Sequence, residues 1–174
     1  MTEELQRFFK SISYSYEESI FDGASVEKVI YLKKKELFEV YLQLKKVLPY
    51  VVLKDLLKAT ENKINGMGAC KVYFSYASVM KEDVLSYLQE LVRELTEKRP
   101  SLVNLNEALV NIEEEVITLE VSTKLEELEV KKEAKGLTNK LSLYGLGEYV
   151  LTSVLNEELH NEVKETLEKS KTGE

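Results

Sequence analysis

Side chains able to do chemistry are sparse in this chain. His160 is its only histidine and Cys70 its only cysteine. One of each cannot supply the Cys/His ligand set of a usual zinc site. A Ser-His-Asp or Cys-His arrangement would have to use His160, which is flanked by Glu158, Asn161 and Glu162 in a charged run and reads as solvent-exposed. Cys70 opens an apolar strand and reads as a small core residue. The glycines form no phosphate cradle. The run GMGACK lacks the third glycine of a dinucleotide fingerprint and lies between helix and strand, the reverse of the required order. GLTNKLS does not match a P-loop and falls inside a helical pattern. Glu113–Glu115 and Glu126-Glu127 read as solvated turn and helix faces, not as an acid/base pair. The expectation is therefore a chain with no catalytic site of its own, no metal and no cofactor.

The suggestive residues are aromatic and basic. Ten tyrosines and five phenylalanines are present. Strand alternation places Tyr31, Tyr41 and Tyr73 on an outer sheet face, with Lys33, Lys34 and Lys35 near them in sequence. Lys45, Lys46 and Lys71 lie close by as well. Aromatics on an open sheet are one way to stack single-stranded bases. They are also enriched in protein interfaces. The alternative is that tyrosine simply suits strands and that the face is covered.

Composition narrows the class. Of 174 residues, 44% are hydrophobic and 32% charged, enough apolar side chains for a core with a charged surface. No apolar run approaches the ~18 residues of a membrane span. The opening MTEELQRFFKS has no basic region leading into an apolar one, so no secretory signal is expected. A single cysteine excludes an internal disulfide and suits a reducing cytoplasm. The net charge of −7 is uneven. Through Lys81 there are 13 basic and 10 acidic residues, or +3, and beyond it 11 and 21, or −10. An acidic second half repels phosphate backbones, so weak or no nucleic-acid binding is expected, and any such contact belongs to the first half.

The elements that must position these residues can be read from periodicity. Residues 3–12 place Leu5, Phe8, Phe9 and Ile12 at helical spacing. VIYLKK (29–34) and LFEVYLQL (37–44) read as a hairpin, the second strand carrying Phe38, Val40, Leu42 and Leu44 on one face. Pro49 opens a helix with Leu53, Leu56, Leu57 and Ile64, ended by Asn65-Gly66. A strand over 71–76 puts Val72, Phe74 and Tyr76 on one face. Phe38, Val40, Leu42, Leu56, Val72 and Phe74 are expected in one core. A helix over 82–98 buries Val84, Leu88, Leu91 and Leu95 and stops before Pro100. Residues 108–122 form a second hairpin turning at Glu113–Glu115. A helix over 124–143 carries Val130, Ala134, Leu137, Leu141 and Tyr144. A strand over 148–154 follows, and Asn156 caps a last helix.

Hairpin, helix and strand thus occur twice, with negligible residue identity between the two passes. The expected class is α+β, in two small lobes. The expected organisation is a first lobe over 1–78, a second over 79–155, and a C-terminal helix with the start of a linker over 156–174. The arrangement is compatible with a KH-like fold. A KH domain that grips nucleic acid uses a GXXG loop; here Gly66, Gly68, Gly145 and Gly147 all occur in GxG pairs, so that clamp is missing.

The stretch ASVEKVIYLKKKELFEVYLQLKKVLPYVVLKDLL, within Ala24 to Ser78, resembles the first domain of PolC-type DNA polymerase III alpha chains, the replicative polymerases of low-GC Gram-positive bacteria. A basic strand leads into an alternating aromatic one, and Val47-Leu48-Pro49-Tyr50 opens a helix. The run from 83 to 121 and the Tyr144-Gly145 turn continue the likeness, over roughly 24–156. The resemblance implies a non-catalytic interaction module, similar in its first domain to the truncated KH-like domain of the clamp-loader tau subunit. It implies contact with tau within the replisome. It further implies a parent polymerase with a 3′–5′ exonuclease, whose later domains are not in this sequence.

Overall fold

The structure is a computed structural model, and it describes residues 1–62 and 68–156. The expected features at Ile64, Asn65-Gly66, His160 and the last helix lie outside the described residues. By contact the chain divides into two units, Met1–Val84 with Leu143–Leu146, and Leu85–Ser142 with Gly147–Glu174.

In the first unit, helix α1 (Glu3–Ser11) starts where the Thr2 hydroxyl accepts from the Leu5 amide at 3.4 Å. Its Leu5 and Phe9 are fully buried. Strands β1 (Ser25–Leu32) and β2 (Leu37–Leu44) form an antiparallel hairpin. Helix α2 (Tyr50–Asn62) follows, the Pro49 carbonyl accepting from the Leu53 amide at 3.1 Å. Pro49 therefore stands just ahead of the helix, where a missing N–H costs nothing. Strand β3 (Ala69–Tyr76) then pairs parallel with β2, giving the order β1-β2-β3. Gly68 has φ +93°, and a Cβ there would lie 2.3 Å from the Glu36 carbonyl oxygen. This close approach lets the Ala69 amide donate to the same carbonyl at 2.9 Å and sets the β2–β3 register.

The core of this unit holds Val40, Leu42, Leu56, Val72 and Phe74, as the alternation predicts. Phe38 is only half-buried, contrary to expectation. It sits opposite Tyr31 near the exposed rim of β1, where Val29 is 55% exposed, so burial fades toward that edge. Strand β1 also differs from the expected 29–34. It begins earlier, at Ser25, carries an irregularity between Val26 and Lys28, and ends at Leu32, leaving Lys33 and Lys34 in the turn.

Helix α3 (Lys81–Lys98) buries Val84, Leu88, Leu91 and Val92, while Leu95 is half-buried. Pro100 ends it and opens a 3-10 segment, Pro100–Glu107. In the second unit, β4 (Leu109–Glu113) and β5 (Val116–Val121) form the second hairpin. Helix α4 (Lys124–Leu143) leads to β6 (Val150–Leu155), which pairs parallel with β5. The Thr123 hydroxyl caps α4 by accepting from the Glu126 amide at 3.2 Å. Glu126 is buried, not solvated as its sequence context suggested. Its carboxylate accepts from the Ser122 hydroxyl at 3.2 Å, joining strand end to helix start. Arg99 pairs with both Glu129 and Glu133 on α4.

The two sheets repeat the same detail. The Val150 amide donates to Glu115 at 2.8 Å, as Ala69 does to Glu36. Asn156 donates to Val121, and Ala77 to Leu44, both at 2.8 Å. The shared architecture is thus two three-stranded mixed sheets, each with one crossover helix, in an α+β class.

Candidate functional site on the first sheet

Strand alternation turns the odd-numbered side chains of β2 and β3 away from the core. Tyr41 and Tyr73 are partners in the parallel register. Their rings stack at 4.9 Å between centroids, 17° from parallel. Lys28 lies opposite Tyr41 in the antiparallel register, and its Nζ is 4.5 Å from the Tyr41 ring centroid. Because β2 is central, Lys28 and Tyr73 reach Tyr41 from opposite flanks. Glu39, two residues before Tyr41 on the same face, accepts a hydrogen bond from the Tyr73 phenol. The result is a row of Lys28, Tyr41, Tyr73 and Glu39.

That bond fixes a pH response. It is the main cause raising the Tyr73 phenol above its ordinary 10.0, with burial and the Glu39 charge adding to it. The folded state therefore favours the neutral phenol. Its contribution to stability is complete below the unfolded phenol's pKa and is lost as pH rises through the higher folded value. In a spectrophotometric titration, Glu39→Gln is expected to bring the Tyr73 transition to lower pH. An unmoved transition would contradict the assigned bond.

The six residues picked out by the sequence do not form one patch. Tyr41 and Tyr73 come together. Tyr31 does not join them: it faces Phe38, ring centroids 4.6 Å apart, on the core side of the sheet. The irregularity after Val26 shifts which β1 residues share a face with Tyr41, and that sets Lys28 there and Tyr31 opposite. Lys33, Lys34 and Lys35 are exposed in the β1–β2 turn. Lys28 and Glu39 were not among the six. Alternation along β2 puts Glu39 on the face of Tyr41, but the place of Lys28 and the bond from Tyr73 to Glu39 depend on cross-strand register, which single-strand alternation does not give.

A second feature lies at the far edge of β3. A groove of about 420 Å³ is lined by α2 residues including Lys54, Leu57 and Lys58, by Cys70–Tyr73, and by Leu143 and Tyr144. Burial pushes the Cys70 thiol up, so less of it is thiolate near neutral pH. Cys70 is accordingly expected to react with a disulfide reagent at pH 8 several-fold slower than a free peptide cysteine. An equal or faster rate would contradict this. Among the described residues, no three His, Cys, Asp or Glu side chains are grouped to hold a metal ion. No described helix is long and apolar enough to cross a membrane.

The first unit is thus a small mixed sheet with one crossover helix, with Lys28 and the stacked tyrosines on one face and further lysines at the β3 edge. By sequence, residues 4–76 match the family described as DNA polymerase III polC-type N-terminus I. The match takes in α1, ahead of the stretch that carried the resemblance, and ends at the last residue of β3. No curated protein and no solved structure matches the chain.

Proposed function

We propose that this chain is a non-catalytic, N-terminal protein-interaction module of a replicative DNA polymerase, and that it recruits the clamp-loader tau subunit in the cytoplasmic replisome. The observation that carries the reading is the match of residues 4–76 to the polC-type N-terminus. The row of Lys28, Tyr41, Tyr73 and Glu39 supports a protein partner. Tyr41 is flanked by Tyr73 on one side and Lys28 on the other, which leaves little free ring face for a base. Tyrosine with mixed charge at the rim is a composition common in protein interfaces. Lys33, Lys34 and Lys35 extend the basic rim, while Tyr31 offers a separate aromatic contact on the other face. The parent polymerase would carry the 3′–5′ exonuclease and the polymerase body.

The second reading is a single-strand nucleic-acid module. It is favoured by the half-exposed Tyr73 beside the exposed Lys71. Nucleic-acid binding would weaken steeply with salt, and an apolar protein contact would not. Titration of the labelled chain with purified tau, and separately with a single-stranded oligonucleotide, distinguishes them at physiological salt. Amide shifts around Tyr41 and Tyr73 are expected with tau. Tight oligonucleotide binding with no response to tau would replace the first reading by the second. The isolated chain is also expected to incorporate no labelled nucleotide and to degrade no DNA, with or without magnesium. Activity in protein freed of contaminating polymerase would refute the non-catalytic assignment.

A further inference from the structure

The β3 edge combines three properties. First, its backbone is open. The order β1-β2-β3 leaves no described strand on the far side of β3. The segment at Gly145 meets that edge at Phe74, where a Cβ on Gly145 would lie 2.4 Å from the carbonyl oxygen. From Cys70 to Tyr73 the edge faces the groove, and an open edge is a template for another strand. Second, the groove has apolar walls, from Leu57, Val72 and Tyr144 among others. Third, it is basic. Lys54 and Lys58 stand one turn apart on α2, and Lys71 stands on β3, against the single carboxylate of Glu61. Among the described residues none of these lysines pairs with a carboxylate. Lys54 Nζ lies 5.8 Å from the Tyr50 ring centroid and 5.9 Å from that of Tyr144.

We infer that the β3 edge from Cys70 to Tyr73, with Lys54, Lys58 and Lys71, docks an acidic peptide segment in extended conformation, added as a fourth strand to the first sheet. The inference rests on the reading of this unit as a protein-binding module and names the chemistry of one partner segment. Main-chain pairing to an open edge supplies affinity, and alternate side chains supply specificity. In an added strand, successive side chains point to opposite faces. One set meets Lys54 and Lys58 on the helix side, and the other meets Lys71 beside Tyr73. Carboxylates in both sets complement cations that have no carboxylate partner among the described residues. A nucleic-acid strand would satisfy the lysines but has no amides with which to extend the sheet.

The test uses the full chain and a fluorescein-labelled peptide of repeating Glu-Glu-Thr-Thr, which puts carboxylates on both faces of a strand, read by anisotropy and by backbone amide shifts. The peptide is expected to bind, with shifts centred on Cys70–Tyr73. The triple reversal Lys54→Glu, Lys58→Glu, Lys71→Glu should weaken it about tenfold or more and instead accept the matching Lys-Lys-Thr-Thr peptide. N-methylation of alternate peptide amides should abolish binding. Circular dichroism melts confirm that the reversed chain is folded. Absence of binding, equal affinity after charge reversal, indifference to N-methylation, or stronger binding of oligothymidylate at the same amides would each overturn the proposal. If tau still shifts the amides around Tyr41 while the acidic peptide fails, the edge site alone is lost. Failure of both removes the protein-binding reading with it.

Discussion

Phe9→Ala is expected to destabilise the first unit by about 3–5 kcal/mol, the range for deleting a fully buried aromatic ring. Phe9 is 0% exposed, and its centroid lies 5.1 Å from Tyr14, 5.0 Å from Tyr16 and 4.9 Å from Phe21. The Tyr14 and Phe21 contacts are edge-on, the favoured arrangement of aromatic quadrupoles. Alanine would leave a hole with rings on several sides. Those rings come from α1 and the loop after it, so collapse around the hole would have to move the path between α1 and β1. Tyr31→Ala is the matched control, since it removes an even larger side chain that is 49% exposed. It should cost below about 1 kcal/mol. Urea midpoints measured for both variants check the contrast. Equal shifts would mean that the aromatic cluster does not anchor the unit.

Gly145→Ala is expected to cost about 2–4 kcal/mol through two separate effects. The residue has φ +87°, a region that side chains with a Cβ rarely occupy. An added methyl would also meet the Phe74 carbonyl oxygen at 2.4 Å, which is backbone in the middle of β3 and cannot swing aside. Gly136, on α4 with nothing within 4 Å of its added Cβ, is the opposite case. Gly136→Ala should stabilise slightly, because alanine is the better helix former. Thermal melts of the two variants should therefore move in opposite directions. A Gly145→Ala chain as stable as wild type would show that Tyr144 and Gly145 are not pressed against β3.

The repeated hairpin, helix and strand were legible because their signals are local. Strand β2 alternates cleanly, and α4 has apolar residues at steps of three and four; both have the bounds read from sequence, 37–44 and 124–143. Where both faces of a strand carry apolar residues, alternation loses its meaning. In β1, Val29 and Tyr31 lie on one face and Ile30 and Leu32 on the other. Only pairing with β2 decides which pair turns inward, and the irregularity at Val26–Lys28 offsets that pairing. Tyr31 was misplaced for this reason. Glu126 was misread because a carboxylate at a helix start looks solvated until the strand end it bonds, at Ser122, is in view. The Tyr41–Tyr73 stack was half visible: both outward positions were, but their adjacency depends on a parallel register set through Gly68 and Glu36.

The first unit is not contiguous in the chain, and this bears on how it forms during synthesis. Residues 1–84 contain its whole sheet and both of its own helices, yet Leu143–Leu146 belong to it as well. Tyr144 and Leu146 in that segment are buried, and Tyr144 packs 6.2 Å from Tyr50. A ribosome must add about 60 further residues after Val84 before this wall exists, roughly 3–12 s at 5–20 residues per second. For that interval the nascent sheet stands with the Phe74 edge uncovered. An extended acidic segment meeting the emerging chain would find more of β3 open than the finished protein leaves. Completion of the first unit therefore waits on translation of α4, and a stop or cleavage before residue 143 yields a first unit lacking part of its own wall.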